Sequence, residues 1–289
     1  MKRILLLTVV IAMALSANSQ SPAAYKIFDS QGNQVSFAQM IKTLNGADVV
    51  FFGEEHNNPI SHWLELEVTK ALYRKHEQKL VMGAEMFEAD VQLIVNEYLQ
   101  GFIREKDVRL EARVWPNYPT DYRPLLEFAK KHDLQFIATN IPRRYANLVY
   151  RRGLKALDSL SAAAKKYIAP LPIAFDSTLE CYSFMIHNAI HMGMPGSTKL
   201  AEAQAIKDAT MAYFISKNYR PGWLFLHFNG SYHSDNHQGI VWYLRRYKPS
   251  LKVLTITTVD QKNLKSLKQE YKGRADFIIV VPNDMTKTY

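Results

Sequence analysis

Two short segments of the chain each place a histidine three residues after a glycine. They read Gly53-Glu54-Glu55-His56 and Gly230-Ser231-Tyr232-His233, and each directly follows an apolar run typical of a buried strand. We call them the first and the second histidine corner. A strand that ends in such a turn presents its histidine at the rim of a sheet, and open α/β folds bind ligands outside the carboxyl ends of their strands. The two corners therefore predict one site assembled from distant parts of the sequence.

Further polar side chains stand at the ends of other predicted strands. One strand ends in Glu85 and another in Asn140, with Arg143 just beyond it. Taken one at a time, such residues are explained better as polar loops and helix caps than as a site. Two histidines and a glutamate at equivalent positions nevertheless favour a functional site.

Two kinds of chemistry fit this set of residues. His56, Glu85 and His233 are suitable ligands for Zn²⁺, Mn²⁺ or Co²⁺, with a water molecule in an open position. Without a metal, the same groups suit a general base and its oxyanion partners, with Arg143 holding an anionic group. The supporting catalytic candidates are Glu54, Glu55, Asn140 and Arg143. Residue types alone leave both chemistries open.

A helix predicted over residues 178–192 carries a second cluster of candidate ligands. His187 and His191 are four residues apart and share one helix face, and Tyr182 and Met192 lie close to them in sequence. A flat apolar ligand such as a porphyrin needs aromatic and methionine walls and one axial histidine or tyrosine. The alternative is an ordinary buried helix with two partly exposed histidines. We therefore treat a haem site at these four residues as a hypothesis.

Short apolar strands alternate with helical patterns along most of the chain. Strands are predicted at residues 48–53, 79–85, 134–140, 223–229, 252–257 and 277–281, and helices at 58–75, 89–99, 122–132 and 238–247. This alternation predicts an α/β fold with a mainly parallel central sheet flanked by helices. Between about 145 and 219 the strand pattern stops. Helices at 158–168, 178–192 and 199–217 predict a smaller all-helical insertion subdomain there.

The N-terminus has the pattern of a secretory signal peptide. Lys2 and Arg3 precede an apolar segment over residues 4–15, and small residues follow as far as residue 19. This pattern predicts a signal peptide over residues 1–19, a domain over 20–289, and export to the periplasm or cell envelope of a bacterium. The apolar segment is short for a membrane span and no second one follows, so we expect a soluble mature chain with no transmembrane helix. No cysteine lies near the predicted cleavage site, so a bacterial lipoprotein anchor is not expected.

Charge and cysteine content narrow the functional classes. The formal net charge of +9 becomes +7 without Lys2 and Arg3, and the basic residues are spread among acidic ones. A nucleic-acid partner is therefore not expected, whereas an anionic ligand or envelope surface fits. The single cysteine, Cys181, excludes an intrachain disulfide.

Taken together and in order, these segments resemble the ChaN-like haem-binding proteins of the Tiki superfamily. The resemblance covers most of the mature chain. It rests on the first histidine corner with His62, on Gly83-Ala84-Glu85-Met86-Phe87, Trp115, Asn140-Ile141-Pro142-Arg143, the helix from Tyr182 to His191, Ala203-Gln204, Asp208, Met211-Ala212 and the second histidine corner.

The resemblance implies a parallel sheet with a helical subdomain, and haem binding in iron acquisition at the envelope. It further implies a homodimer that holds haem through a tyrosine, for which Tyr182 is the candidate, and envelope haem-uptake machinery as a partner. The wider superfamily includes metal-dependent proteases and esterase-like enzymes, whose roles fall here on His56, Glu85 and His233. The leading hypothesis is an exported haem-binding protein. The alternatives are a metal-dependent hydrolase and a catalytically silent partner-binding module.

Overall fold

The computed structural model describes residues 23–189, 191, 193–194 and 197–289. The predicted signal peptide and Met192 lie outside these residues. The strands are β1 (Lys26–Asp29), β2 (Gln34–Val35), β3 (Val49–Glu54), β4 (Leu80–Glu88), β5 (Gln135–Asn140), β6 (Leu224–Gly230), β7 (Val253–Gln261) and β8 (Phe277–Pro282). The helices are α1 (Phe37–Leu44), α2 (Pro59–His76), α3 (Gln92–Leu99), α4 (Glu105–Glu111), α5 (Arg123–Lys131), α6 (Arg143–Arg152), α7 (Ala162–Lys165), α8 (Glu180–Asn188), α9 (Lys199–Asn218) and α10 (Ile240–Tyr247).

The described strands form one eight-stranded sheet. Their order is β2-β1-β8-β7-β3-β6-β4-β5. Every neighbouring pair from β8 to β5 is parallel, and β1 and β2 add an antiparallel edge. The predicted α/β class with a mainly parallel sheet is confirmed. Because the central strands run in one direction, β3, β4, β5 and β6 end at the same rim.

Helices cover both faces of the sheet. Successive side chains of a strand point to opposite faces, so Phe52 packs with helices α2, α3 and α5 while Phe51 packs with α9 and α10. Strand β3 is buried over its whole length. Burial on both faces explains why the parallel strands are continuously apolar in the sequence rather than alternating.

The helical segment over residues 145–219 lies against one face of the sheet. Helix α9 contacts β5, α6, α8 and α10. It buries a row of small side chains, which allow close approach of the sheet and the neighbouring helices; these are Ala201, Ala205, Ala209 and Ala212. The segment predicted as an insertion thus shares a core with strands β3, β4, β5 and β6.

The sequence patterns predict the six long strands within a few residues and miss the short edge strands β1 and β2. The helix predicted at 158–168 is wrong, because only Ala162–Lys165 is α-helical. No residue of that helix is buried, so no apolar face stabilises a longer one. Helices α1, α4 and α6 were not predicted.

Among the described residues, no helix combines the length and apolar character that crossing a membrane requires.

Candidate functional site

The pairing of β3 with β6 brings the two histidine corners side by side. The parallel register sets Glu54 opposite Gly230. Gly230 allows the close approach of the first corner, because a Cβ at this position would lie 2.7 Å from Cε1 of His56. The structure therefore places the two corners at one rim, as their position after strands predicts.

A cleft of about 440 Å³ opens at this rim. Its lining is rich in ionisable and amide side chains, namely His56, Glu85, Glu88, Asn140, Arg143, Asn147, Gln204, Lys207, Tyr232 and His233. Arg144 pairs with Asp90 just outside the cleft, whereas Arg143 and Lys207 form no ion pair with any residue that the structure describes. The cleft thus offers two cationic groups to an anionic ligand.

His56 has one ring nitrogen engaged and one directed away from its partner. Its Nδ1 lies 2.6 Å from Oε1 of Glu54, and its side chain is 36% exposed. Burial lowers the pKa of His56, but the hydrogen bond to Glu54 and the charge of Glu85 outweigh burial and raise it above its usual value. When the ring is neutral, Nδ1 carries the proton for Glu54 and Nε2 carries the lone pair. His56 can therefore serve as a base or as a ligand.

His233, in contrast, is enclosed by two carboxylates. Its Nδ1 bonds to Asp208, and its Nε2 lies 3.1 Å from Oε1 of Glu85. Burial disfavours the imidazolium, but the charges of Glu85 and Asp208 raise the pKa of His233 to about 10. Glu85 is fully buried, and although burial raises its pKa, the charge of His233 brings that pKa well below its usual value.

These bonds bear on the predicted metal centre at His56, Glu85 and His233. Both ring nitrogens of His233 are engaged, and Oε2 of Glu85 accepts the backbone N–H of Gly230 at 2.8 Å. A metal ion would have to displace these bonds before either residue could bind it. In this conformation Glu85 and His233 are bonded to each other, and His56 is bonded to Glu54, so the three residues are not an open set of ligands.

A second polar cluster lies directly behind His56, in the interior. Nδ1 of His62 is 3.1 Å from both Oε2 of Glu54 and Oε2 of Glu65. The hydroxyl of Tyr122 donates to Oε1 of Glu54 at 2.8 Å. Burial opposes the charge of His62, but the two neighbouring glutamates, Glu54 and Glu65, raise its pKa to about 11. The hydrogen bond with His56, together with His62, brings the pKa of Glu54 to about 2 against the effect of burial.

The four supporting candidates occupy different places. Glu54 holds His56, and Arg143 lines the cleft. Asn140 is buried, and its Nδ2 donates to the backbone carbonyl of Glu85 at 3.0 Å. Glu55 faces the C-terminal segment, where its Oε2 lies 3.2 Å from Nζ of Lys287. Asn140 therefore positions the Glu85 strand end, and Glu55 anchors the corner loop rather than lining the cleft.

The predicted haem residues separate into interior and surface groups. Tyr182 is fully buried in α8, and its hydroxyl donates to Oδ2 of Asp208 at 2.7 Å. It cannot reach a ligand in this conformation, because its oxygen supports the His233 network. His187 and His191 are exposed. Phe184, three residues before His187 on α8, is 60% exposed, so this helix presents an aromatic and histidine surface to solvent.

Several residues of the site had no assigned role in the sequence interpretation. They are Glu65, Asp121, Tyr122 and Lys207. Glu65 offered a usable signal, because it lies on the apolar face of α2 beside Leu64 and Val68, and an acid on a buried face needs a partner. Tyr122 gave no such signal, since its hydroxyl partner is far away in sequence.

Residues 40–244 match the family described as haem-binding uptake, Tiki superfamily, ChaN. The chain belongs to this family. The predicted resemblance to ChaN is thereby confirmed. Among curated proteins, no sequence matches this chain.

Solved structures resemble this ChaN-family chain to different degrees. It superposes on ChaN of Campylobacter jejuni, whose structure is described as showing cofacial haem binding, with a TM-score of 0.65 and 19% identity over 90% of this chain and 97% of that one. An erythromycin esterase, EreC, in its open conformation gives a TM-score of 0.49 at 12% identity, over 90% of this chain and 83% of that one. The type III effector HopBA1 gives 0.48 at 11% identity, over 85% and 92%. At 19% identity, the similarity to ChaN of Campylobacter jejuni shows a common fold.

Replacing Gly230 with alanine should displace His56. The added methyl group would lie 2.7 Å from the imidazole, so the ring must move and weaken its bond to Glu54. We expect a loss of about 1–3 kcal/mol of stability and a fall in the pKa of His56, measured by NMR titration of the histidines. Gly46→Ala is the control, because its nearest atom would be 3.4 Å away. An unchanged His56 titration in Gly230→Ala would contradict the geometry.

The charge of His233 should appear in the pH dependence of stability. Its folded pKa of about 10 lies above the usual histidine value of about 6.5, so its contribution is complete below about pH 6.5 and is lost as the pH rises through about 10. We expect His233→Gln to remove a slope of at most about 1.4 kcal/mol per pH unit in this window. Urea unfolding of both proteins from pH 6 to 10 measures the difference. Equal slopes would show that His233 is not held as an imidazolium.

Proposed function

We propose that this protein is exported and binds haem for haem or iron uptake at the cell envelope. Membership of the haem-binding uptake family supports this function. The observation that carries it is a histidine on the surface of α8, beside an exposed aromatic side chain. The net positive charge of the chain favours an anionic ligand such as haem.

His187 has the chemistry that an axial haem ligand requires. Its Nδ1 donates to the backbone carbonyl of Ser183 at 2.6 Å. This bond fixes the tautomer, so the lone pair lies on Nε2, the nitrogen that is left for iron. Phe184 offers an apolar surface on the same helix, and His191 is exposed one turn beyond His187. The residues present therefore fit haem, with His187 as the proposed ligand in place of Tyr182.

A haem bound on an open helix surface is covered by protein on one side only. A second copy of the chain would cover the other side, and we therefore include a haem-linked homodimer in the proposal. The cofacial haem arrangement described for ChaN of Campylobacter jejuni agrees with such an assembly. The proposed location is the periplasm or envelope after removal of residues 1–19, with the haem-uptake machinery as the partner.

Haemin titration of the protein over residues 20–289 tests this function. We expect a saturable shift of the Soret band, and binding at least about tenfold weaker in His187→Ala because the iron loses its ligand. Tyr182→Phe should bind haemin as the wild type does, because its hydroxyl is committed to Asp208. His76→Ala, in helix α2, is the matched histidine control.

Three outcomes would overturn the haem assignment or move its site. Haemin binding no stronger than to an unrelated protein of similar positive charge would remove the function. A loss in Tyr182→Phe with retention in His187→Ala would return the ligand role to Tyr182. Gel filtration with and without haemin reports the dimer in the same samples, and a monomer with saturating haemin would exclude the shared site.

A second candidate function is hydrolysis at the rim cleft, favoured by the His56–Glu54 pair. Glu54 orients the ring so that Nε2 can accept a proton from water, as a general base requires. Arg143 and Lys207 line the same cleft and suit a substrate with an anionic group. The metal-dependent version would require His233 to leave both of its carboxylates, so we propose the version without metal.

Assays with anionic and neutral p-nitrophenyl esters test this second function. We expect hydrolysis of an anionic ester that persists in EDTA and falls about 10²–10⁴-fold in His56→Gln. His76→Gln is the control and should retain full activity. Activity that EDTA abolishes would restore a metal-dependent mechanism, and activity equal in His56→Gln would exclude the rim cleft.

A further inference from the structure

The interior cluster behind His56 brings three acceptor atoms together. Nδ1 of His62 lies 3.1 Å from Oε2 of Glu54 and 3.1 Å from Oε2 of Glu65. Among the described residues, these three side chains are the group whose histidine and carboxylate ligand atoms all lie within 4.8 Å of one another. Without a proton on Nδ1, three lone-pair atoms at such separations repel one another unless a cation lies between them.

The other nitrogen of His62 is already engaged. Its Nε2 lies 3.1 Å from the backbone carbonyl of His56 and 3.4 Å from Oδ2 of Asp121. Since both neighbours are acceptors, Nε2 carries a proton. A histidine that donates one N–H to a carbonyl or carboxylate and turns its other nitrogen to further ligands is the usual arrangement in metal sites.

Burial and unmet hydrogen bonding also point to a bound ion. The side chains of Glu54 and Glu65 are fully buried, and that of His62 is 4% exposed. Oε2 of Glu54 and Oε1 of Glu65 have no hydrogen-bond partner. Oε2 of Glu54 is directed into the cluster, at 3.1 Å from Nδ1 of His62. Buried carboxylate oxygens without donors are costly, and a cation would satisfy them.

The two separations from Nδ1 of His62 fit a first-row metal. Ligands about 2.0–2.2 Å from an ion at tetrahedral angles lie about 3.4 Å from each other, which is close to the two 3.1 Å separations. Two carboxylates and one neutral imidazole also match the charge of a divalent ion. The alternative is that protons shared among the three groups, rather than a metal ion, compensate the buried carboxylates.

We propose that Glu54, His62 and Glu65 bind one divalent first-row cation, Zn²⁺ or Mn²⁺, behind the rim cleft. This centre is separate from the set predicted at His56, Glu85 and His233, and from the haem surface on α8. Glu54 joins it to the cleft, because its Oε1 bonds to His56 while its Oε2 faces the ion site. The ion would hold the carboxylate of Glu54, which in turn orients His56. Its proposed role is therefore structural.

Elemental analysis of the untagged protein tests this site. Because the cluster is buried, the protein is unfolded, refolded with Zn²⁺ or with Mn²⁺, and dialysed. We expect about one ion per chain in the wild type, at least a tenfold lower content in Glu65→Gln, and a rise of several degrees in Tm that only the wild type shows. Glu67→Gln is the control, because Glu67 lies on the same helix and pairs with Lys70 at 2.8 Å.

His233→Gln separates this site from the rim. We expect the variant to retain the ion, because His233 contacts Glu85 and Asp208 and not the interior cluster. A wild type that retains no metal after refolding and shows no Tm shift would establish that protons, and not a metal ion, compensate the buried carboxylates. Metal lost in His233→Gln but kept in Glu65→Gln would place the ion at the rim. Haemin titration of the same samples tests the proposed haem function separately from the metal site. A variant that binds haemin but no metal is folded and has lost only the metal site.

Discussion

The parallel register of β3 against β6 is the constraint on which the rest of the site depends. It sets Glu54 beside Gly230, and a shift by one residue would turn Glu54 to the opposite face of the sheet. Both carboxylate oxygens of Glu54 have distinct neighbours, since Oε1 bonds to His56 and Tyr122 while Oε2 faces His62. One strand register thus determines the exposed base at the rim and the buried cluster behind it.

Charge balance explains how the rim keeps several carboxylates in the interior. Isolated buried charges are strongly destabilising, but His233 lies between Glu85 and Asp208, and Asp208 also accepts the hydroxyl of Tyr182. Burial raises the pKa of Asp208, and His233 opposes that rise. Removing any member leaves an uncompensated group behind, so Tyr182 contributes to the site by supporting this network from α8.

Sequence patterns predict the positions along the strands better than the partners across them. Apolar runs followed by glycine place His56 and His233 at strand ends, and alternation of strands and helices predicts a common rim, because both depend on residues that are near in sequence. The enclosure of His233 by Asp208 depends on how α9 packs against the sheet, and no local pattern contains that information. The same holds for Glu55, which is next to His56 in the sequence. Its side chain pairs with Lys287, a residue far away in the sequence, and does not line the cleft. The helix predicted around residue 160 failed for a related reason, since propensity without a buried face does not extend a helix.

The histidines of this chain differ in one property that decides what each can do, namely whether a ring nitrogen remains free. His227 bonds through Nε2 to Thr139 and through Nδ1 to Asn229, and burial lowers its pKa to about 4, so it is a neutral core residue. His233 also uses both nitrogens, but as a cation. His56 and His187 each engage Nδ1 with a local acceptor and leave Nε2 to a ligand. They lie on different elements, one at the rim and one on α8, so a haem surface and a polar cleft can operate in the same fold without sharing a ligand.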